Sequence, residues 1–152
     1  MAANSMPSQD RVMYNNWIKP TLSELEREFH VEQELKGHKF WEDWDEFLEA
    51  TEKATVYVVT PENDRKIAYR SRTRSYEDLI SLIKGYRSYP EFRNAETIKN
   101  LYKRIQENKP LYMPIVIFNS EGKMRVFSGN TRMDVAFQLG ENPHVLLVEA
   151  TW

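Results

Sequence analysis

Cysteine is absent from the chain of 152 residues, and histidine and glycine are scarce, with three and five copies. The missing cysteine excludes disulfides, thiolate metal sites and thiol nucleophiles. His30, His38 and His144 are widely separated, so the sequence predicts no histidine-rich metal site. No apolar run approaches the roughly eighteen residues of a membrane-spanning helix, and residues 1–12 contain no apolar stretch typical of a signal peptide. We therefore expect a cytoplasmic protein with no membrane partner.

The composition is that of an ordinary folded protein, with 41% apolar and 29% charged residues. A chain of this length can bury a genuine hydrophobic core. Three regions are predicted from the composition and patterning: a flexible tail over 1–15, an acidic helical extension over 16–53, and an α/β domain over 54–152.

Charge is distributed unevenly along the chain, although the net charge is only −2. Residues 21–52 carry eleven acidic side chains against three basic ones, and residues 65–109 carry twelve basic side chains against five acidic ones. Such a separation is expected either for a protein that binds an anionic ligand on one face or for one whose two regions attract each other. A further alternative is a non-catalytic interaction protein that uses the acidic helices of residues 21–52 to engage a basic protein partner or to mimic DNA.

The N-terminal half combines helical and strand patterns. Thr21 and Glu24 form a capping pattern at the start of one helix, and a second helix is predicted over about 41–53. The aromatic stripe of this second helix has the spacing of a buried face, so we assign it to the core rather than to a ligand platform. This stripe consists of Trp41, Trp44, Phe47 and Leu48.

Strands are predicted over 55–60 and around 66–70, paired as a hairpin.

The C-terminal half has the most regular pattern. Ser75 and Asp78 cap a helix that we expect to stop at Gly85, and a further helix begins at Asn94 and ends before Pro110. A strand, a turn, a strand, a helix and a final strand follow in that order. The strands are predicted over 114–118, 123–127 and 144–149, and the helix lies between Ser128 and Gly140.

The residues Ser128-Gly129-Asn130-Thr131-Arg132 are predicted to join a strand to this helix and to bind an anion. A helix N-terminus exposes unpaired N–H groups and partial positive charge, glycine allows close approach of a ligand, and arginine supplies donors suited to phosphate. Asn130 is also a good helix cap, and Arg132 could pair with Asp134 or Glu149 instead. The pattern alone leaves the phosphate site and the simple helix cap both open.

Four segments around this turn follow one another in a distinctive order: 94–105, 113–117, 126–136 and 145–148. They read as a helix, a strand that opens with Pro-Ile, a hairpin, a Gly-x-x-Arg turn, a helix with a small residue and a closing strand. This order resembles the core of the ParB/sulfiredoxin superfamily over about residues 94–150, roughly a third of the chain. The resemblance implies an α+β fold in which helices flank a mixed sheet, here with an N-terminal helical extension.

Members of that superfamily bind nucleoside triphosphates, and some hydrolyse them or transfer a phosphoryl group. The resemblance therefore implies a nucleoside triphosphate, ATP or CTP, bound with Mg²⁺ by a stand-alone member of the kind found in phages and plasmids. Asn130 stands where sulfiredoxin has its catalytic cysteine, so that redox reaction is excluded here. No residue is assigned as a general base. The residues implied to face the phosphates are Gly129, Asn130, Thr131 and Arg132 in the turn, and Thr97, Asn100 and Arg104 on one face of the preceding helix, which could equally be a solvated face.

A basic stretch supports a second hypothesis. Residues 65–74 include five basic side chains and no acidic one, interleaved with tyrosine. In an extended segment Arg70, Arg72 and Arg74 would project from one face, an arrangement that suits a nucleic-acid backbone. The chain would then be a DNA-binding protein or a nuclease. The alternatives are a solvated strand edge, pairing with the acidic helices, or contact of one arginine with the nucleotide phosphates.

Overall fold

The computed structural model describes residues 14–73, 75–84 and 95–152. Within these ranges the helices are α1 (Leu22–Phe29), α2 (Trp44–Glu52), α3 (Pro61–Asp64), α4 (Tyr76–Ile83), α5 (Ala95–Gln106) and α6 (Asn130–Gln138). A π-helical segment, His30–Leu35, continues α1. The strands are β1 (Trp17–Ile18), β2 (Thr55–Val58), β3 (Ile67–Ala68), β4 (Leu111–Tyr112), β5 (Ile115–Phe118), β6 (Met124–Ser128) and β7 (His144–Glu149). The architecture is α+β, as predicted.

Five strands form one mixed sheet in the order β2-β7-β5-β6-β3. β5 and β6 make the antiparallel hairpin that the sequence predicts, and β7 runs parallel to β5. At one edge β2 is antiparallel to β7, and at the other edge β3 is parallel to β6. The predicted hairpin between 55–60 and 66–70 is therefore wrong, because its two strands lie at opposite edges of the sheet.

The segment between β2 and β3 explains this difference. Thr60 and Asn63 form a reciprocal capping box, so residues 61–64, which would form the turn of the predicted hairpin, instead form the short helix α3. A hairpin requires a short turn that keeps the two strands in register. The capped helix leads the chain out of the sheet, and β3 then pairs with β6 through Ile67 and Met124.

Helices cover both faces of the sheet. Because successive residues of a strand point to opposite faces, Ile115 and Ile117 of β5 pack among the aromatic residues of the N-terminal helices, whereas Val116 packs with Met133 of α6. Phe47 of α2 is completely buried. The members of the predicted core stripe are Trp41 and Phe47, both buried, and Trp44 and Leu48, both partly buried. The assignment of this stripe to the core is confirmed.

Two predicted helix caps are also confirmed. The Thr21 hydroxyl accepts a hydrogen bond from the Glu24 N–H at 3.1 Å, and Ser75 accepts one from Asp78 at the same distance. The predicted stop at Gly85 and the predicted cap at Asn94 lie outside the described residues. No helix in the described ranges is long and apolar enough to cross a membrane.

The N-terminal region is joined to the rest of the fold at its first described residue. Tyr14 is buried; its N–H donates to Glu141 at 3.0 Å and its hydroxyl donates to the Lys109 carbonyl at 2.6 Å. Trp17 of β1 then pairs with Leu111 of β4 in a parallel ribbon. The predicted tail over 1–15 therefore extends too far, because Tyr14 is already part of the fold. Residues 1–13 lie outside the described residues.

Candidate functional site

The turn between β6 and α6 is built around Gly129. This glycine has φ 88° and ψ 25°, a left-handed conformation that favours glycine. A Cβ at this position would lie 2.8 Å from both the Pro114 Cβ and the Arg132 Nη2. Packing and backbone conformation therefore both require glycine, independently of any ligand. The first backbone hydrogen bond of α6 runs from the Met133 N–H to the Gly129 carbonyl at 3.0 Å. The N–H groups of 130–132 therefore precede the hydrogen bonds of the helix.

Asn130 does not cap α6, because Gly129 occupies the cap position. The Asn130 side-chain oxygen accepts a hydrogen bond from the Arg70 N–H at 2.8 Å, and its amide donates to the Ser71 carbonyl at 2.8 Å. The side chain is buried. The alternative that Asn130 is a simple helix cap is thus wrong. Asn130 instead fixes against the turn a segment that lies about sixty residues earlier in the sequence.

A cavity of about 700 Å³ lies beside this turn, a volume within the usual range for small-molecule sites. The turn forms one wall, α1 with its π-helical continuation forms another, and α5 with the segment 110–112 forms a third. Asn100 is exposed and does not line the cavity. The predicted residues that do line it are Thr97, Arg104, Gly129, Asn130, Thr131 and Arg132.

Basic side chains converge on this cavity from four parts of the chain. Arg104 donates to the Pro110 carbonyl at 2.5 Å and Arg132 donates to the Tyr112 carbonyl at 2.9 Å. Each guanidinium has five N–H donors, so one such bond leaves others for a ligand. Burial lowers the pKa of Arg132 from its ordinary value, but an arginine remains protonated in proteins. The lining cations are Arg27, Lys36, Arg70, Arg104 and Arg132.

Neither acidic residue considered as a partner of Arg132 lies in this wall. Asp134 is fully buried on another side of α6, where it accepts hydrogen bonds from the Thr73 N–H at 2.9 Å and from the Thr73 hydroxyl at 3.0 Å. Burial raises the pKa of Asp134 to about 6, and the two Thr73 donors oppose that shift. Glu149 is exposed at the end of β7 and does not line the cavity.

Three carboxylates that sequence reasoning did not assign to the site face the same cavity: Glu24, Glu28 and Glu32. All three are buried or nearly so. Arg27 pairs with Glu24 at 2.8 Å and with Glu28 at 2.7 Å. Their spacing of four residues places them on one helical face, and that regular interval was the signal available in the sequence.

The environment of Glu28 shifts the pKa of its carboxyl group. Burial raises the pKa of Glu28, the charges of Arg27 and Arg132 oppose the shift, and the nearby Glu24 adds to it. A carboxyl group held in this way binds its proton more tightly than an exposed glutamate. A buried acid with a raised pKa in a cavity is a candidate for proton transfer.

The acidic and basic regions of the sequence meet at this cavity. The Arg70 guanidinium pairs with Glu32, which also accepts from Lys36 at 3.2 Å, and Arg70 donates to the Phe127 carbonyl. Attraction between the two regions, one of the two interpretations of the charge pattern, is therefore present at this pair. It does not exclude an anionic ligand at the same place, because the lining cations outnumber the lining carboxylates.

Arg72 has a different environment from Arg70. Its guanidinium pairs with the buried Asp64 at 2.9 Å and lies 3.8 Å from the centre of the Tyr69 ring. Arg74 lies outside the described residues. The prediction that these three arginines project together from one extended face is not met by Arg70 and Arg72, since each is held by its own carboxylate on a different element.

The described ranges contain no group of three or more histidine, aspartate or glutamate side chains placed to hold a metal ion.

Comparisons of the chain with protein-family models, with curated proteins and with solved structures find no match, so the ParB/sulfiredoxin resemblance stays a prediction from the sequence.

Proposed function

We propose that the cavity beside the 129–132 turn binds a nucleoside triphosphate, in the manner of a ParB/sulfiredoxin-like domain, and that the protein hydrolyses it or transfers its phosphoryl group. One observation carries this proposal: residues 129–132 and the side chains of Thr97 and Arg104, widely separated in sequence, line one cavity of suitable volume. The family resemblance implies the class of ligand, and the volume and basic lining of the cavity support this location for it.

The phosphates would bind at the N-terminus of α6. The N–H groups of 130–132 precede the first helical bond, and the helix dipole adds partial positive charge at that end. Arg132 lies directly beside Gly129, so its guanidinium and the free N–H groups are within reach of the same anion. Arg104 and Thr97 would contact the anion from the wall that α5 forms.

Hydrolysis or transfer requires stabilisation of the charge that develops on the phosphoryl oxygens. Arg132 and Arg70 are the cations best placed for this role, because both line the cavity next to the turn. Glu28 is the candidate proton acceptor for an attacking water or hydroxyl, since it is buried in the same cavity and its pKa is raised by that burial.

The residues present fit the nucleotide better than they fit a separate metal site. Glu24, Glu28 and Glu32 are each bound to basic side chains of the protein. Mg²⁺ commonly retains several waters and binds through substrate phosphates and only one or two carboxylates. We therefore expect Mg²⁺ to arrive with the triphosphate, where it would neutralise phosphate charge.

Calorimetric titration of ATP, CTP and GTP, each with Mg²⁺, tests the proposal. Wild-type protein should bind at least one of them, and Arg132→Ala should weaken that binding about ten- to a hundredfold, since a charge-assisted hydrogen bond is lost. Arg65→Ala, an exposed arginine outside the cavity, is the matched control. Absence of binding to wild type, or equal affinity in Arg132→Ala, would refute the nucleotide site.

Glu28→Gln separates binding from turnover. The amide keeps the size of the side chain but cannot act as a base at neutral pH, so nucleotide binding should persist while release of inorganic phosphate falls. Full turnover in this variant would remove Glu28 from the mechanism without affecting the binding proposal.

A further inference from the structure

We propose that a groove at the β3–β6 edge of the sheet binds single-stranded nucleic acid, through a site separate from the nucleotide cavity. The groove has a volume of about 410 Å³. Its walls come from the chain around β3, the first half of β6 and the final tryptophan. The lining side chains that would contact the ligand are Lys66, Lys123, Arg125 and Trp152.

The charge of this groove differs from that of the chain as a whole. The protein has more acidic than basic residues, yet the groove is lined by four cations, including Arg70, and by no carboxylate. Glu121 is the carboxylate paired with a groove lysine among the described residues; it lies 3.4 Å from Lys123, and both side chains are about 70% exposed. Exposed pairs of this kind are weak and screened by salt. Arg70 is paired with Glu32, and the other three lining cations give the groove a net positive surface.

Lys66 and Lys123 lie at the same end of the β3–β6 pair. Ile67 is paired with Met124 in parallel register, and each lysine immediately precedes one of these two residues. Both lysines are exposed and line the groove. Exposed cations at one end of a groove attract anions, so a polyanion is the ligand that this charge favours.

The groove also has aromatic surface for unpaired bases. Trp152 is 41% exposed and packs edge-on against Phe40, with the ring centres 5.7 Å apart. Arg125 lies over both rings, at 5.3 Å from the centre of Phe40 and 6.0 Å from that of Trp152. A supported, partly exposed indole next to an arginine suits base stacking, which requires bases that are not paired in a duplex.

The alternation of Arg70, Arg72 and Arg74 plays no part in this proposal. Arg70 lines both the groove and the nucleotide cavity and is paired with Glu32, so a change there would affect both sites. Lys66 and Lys123 line only the groove and are exposed, which makes them the side chains to change.

Fluorescence anisotropy with a labelled oligothymidylate of about twelve nucleotides tests the proposal on the full chain. Wild-type protein should bind, and the affinity should fall as salt rises from about 50 to 200 mM. The double variant Lys66→Ala/Lys123→Ala should bind about tenfold more weakly, and its salt slope should be smaller by about 1.4 because two phosphate contacts are lost.

Matched variants make the result decisive. Lys19→Ala/Lys109→Ala removes the same charge from exposed positions outside the groove and should bind as wild type does. Arg132→Ala should also bind the oligonucleotide normally, which keeps this result independent of the nucleotide proposal. Trp152→Ala should weaken binding about tenfold if a base stacks there.

Three outcomes would overturn the inference. The first is absence of binding to wild type, and the second is equal loss in both double-lysine variants. The third is tighter binding of a duplex than of the single strand, which would contradict the stacking role of Trp152.

Discussion

Asn130 holds the backbone of Arg70 against the turn before α6, with its side-chain oxygen accepting the Arg70 N–H at 2.8 Å. The same side chain donates to the Ser71 carbonyl, so one buried amide fixes two consecutive residues of a segment without regular structure. The consequence is that an arginine from the basic stretch is placed at the cavity wall next to Arg132.

Replacing Asn130 by alanine should destabilise the protein by about 1–2 kcal/mol, because the partly buried donor at Arg70 and acceptor at Ser71 lose their partner. Nucleotide affinity should fall as well, since the Arg70 backbone is no longer fixed against the turn. Urea denaturation and calorimetry measure the two effects. Asn142→Ala, at an exposed position, serves as the control. If Asn130→Ala is as stable as that control, the bridging role assigned to Asn130 is wrong.

Replacing Gly129 by alanine should destabilise the fold by more than the same change at Gly122. Both glycines have positive φ, 88° and 79°, so both changes carry a backbone cost of about 1–2 kcal/mol. A Cβ at Gly122 meets nothing within 4 Å, whereas one at Gly129 would lie 2.8 Å from Pro114. The difference between the two free energies of unfolding, measured in urea, isolates the packing contribution. Equal values for the two variants would contradict close packing at Gly129.

Replacing Glu32 by glutamine should strengthen triphosphate binding. Glu32 pairs with Arg70 and Lys36 at the cavity, so it competes with phosphate for both cations. Removal of one charge at a few ångström in a largely hydrated site contributes about 1 kcal/mol, or about fivefold in affinity. Glu34→Gln, at an exposed glutamate that pairs with His30, is the control for calorimetry. Weaker binding in Glu32→Gln would instead indicate that this carboxylate helps to hold the metal–nucleotide complex.

Asp134 should make stability depend on pH. Burial raises its pKa in the folded protein to about 6 from the ordinary aspartate value of 3.8. Between these values the folded state holds the proton that the unfolded state has released, so the free energy of unfolding falls as pH rises through this window. The stabilisation is complete below about pH 4 and is lost above about pH 6, with a total of at most about 3 kcal/mol.

Asp134→Asn removes this dependence. The amide can still accept from the Thr73 N–H and can donate to the Thr73 hydroxyl, so the variant should be more stable than wild type at pH 8 and lose that advantage at pH 4. Thermal unfolding across this range measures the difference, with Asp45→Asn at an exposed position of α2 as the control. A constant difference between variant and wild type at all pH values would contradict the raised pKa.

The parts of the fold that depend on local pattern could be predicted from the sequence. The hairpin of β5 and β6, the helix after Gly129 and the last strand follow one another with short connections, so periodicity and turn residues locate them. The parallel pairing of β3 with β6 could not be predicted in this way. It depends on how the capped helix α3 leads the chain across the sheet, which is a tertiary effect.

The residues of the candidate site likewise divide into those that local pattern identifies and those that only tertiary packing brings to the cavity. The turn residues were recognisable because glycine and arginine at a strand–helix junction have a local physical meaning. Glu28 and Glu32 were not assigned to it, because about a hundred residues separate them from the turn and only the packing of α1 against the sheet brings them there. Arg70 likewise reaches the cavity through its contact with Asn130 rather than through a strand pattern.

The most direct test of the nucleotide site is to map amide chemical shifts by NMR as ATP, CTP or GTP with Mg²⁺ is added to the labelled protein. We expect the largest changes at the backbone amides of 130–132 and at Thr97, since these groups line the proposed phosphate site. The amides around Lys66 and Lys123 should change little. No change at 130–132 at saturating nucleotide, or changes confined to the β3–β6 groove, would contradict the account.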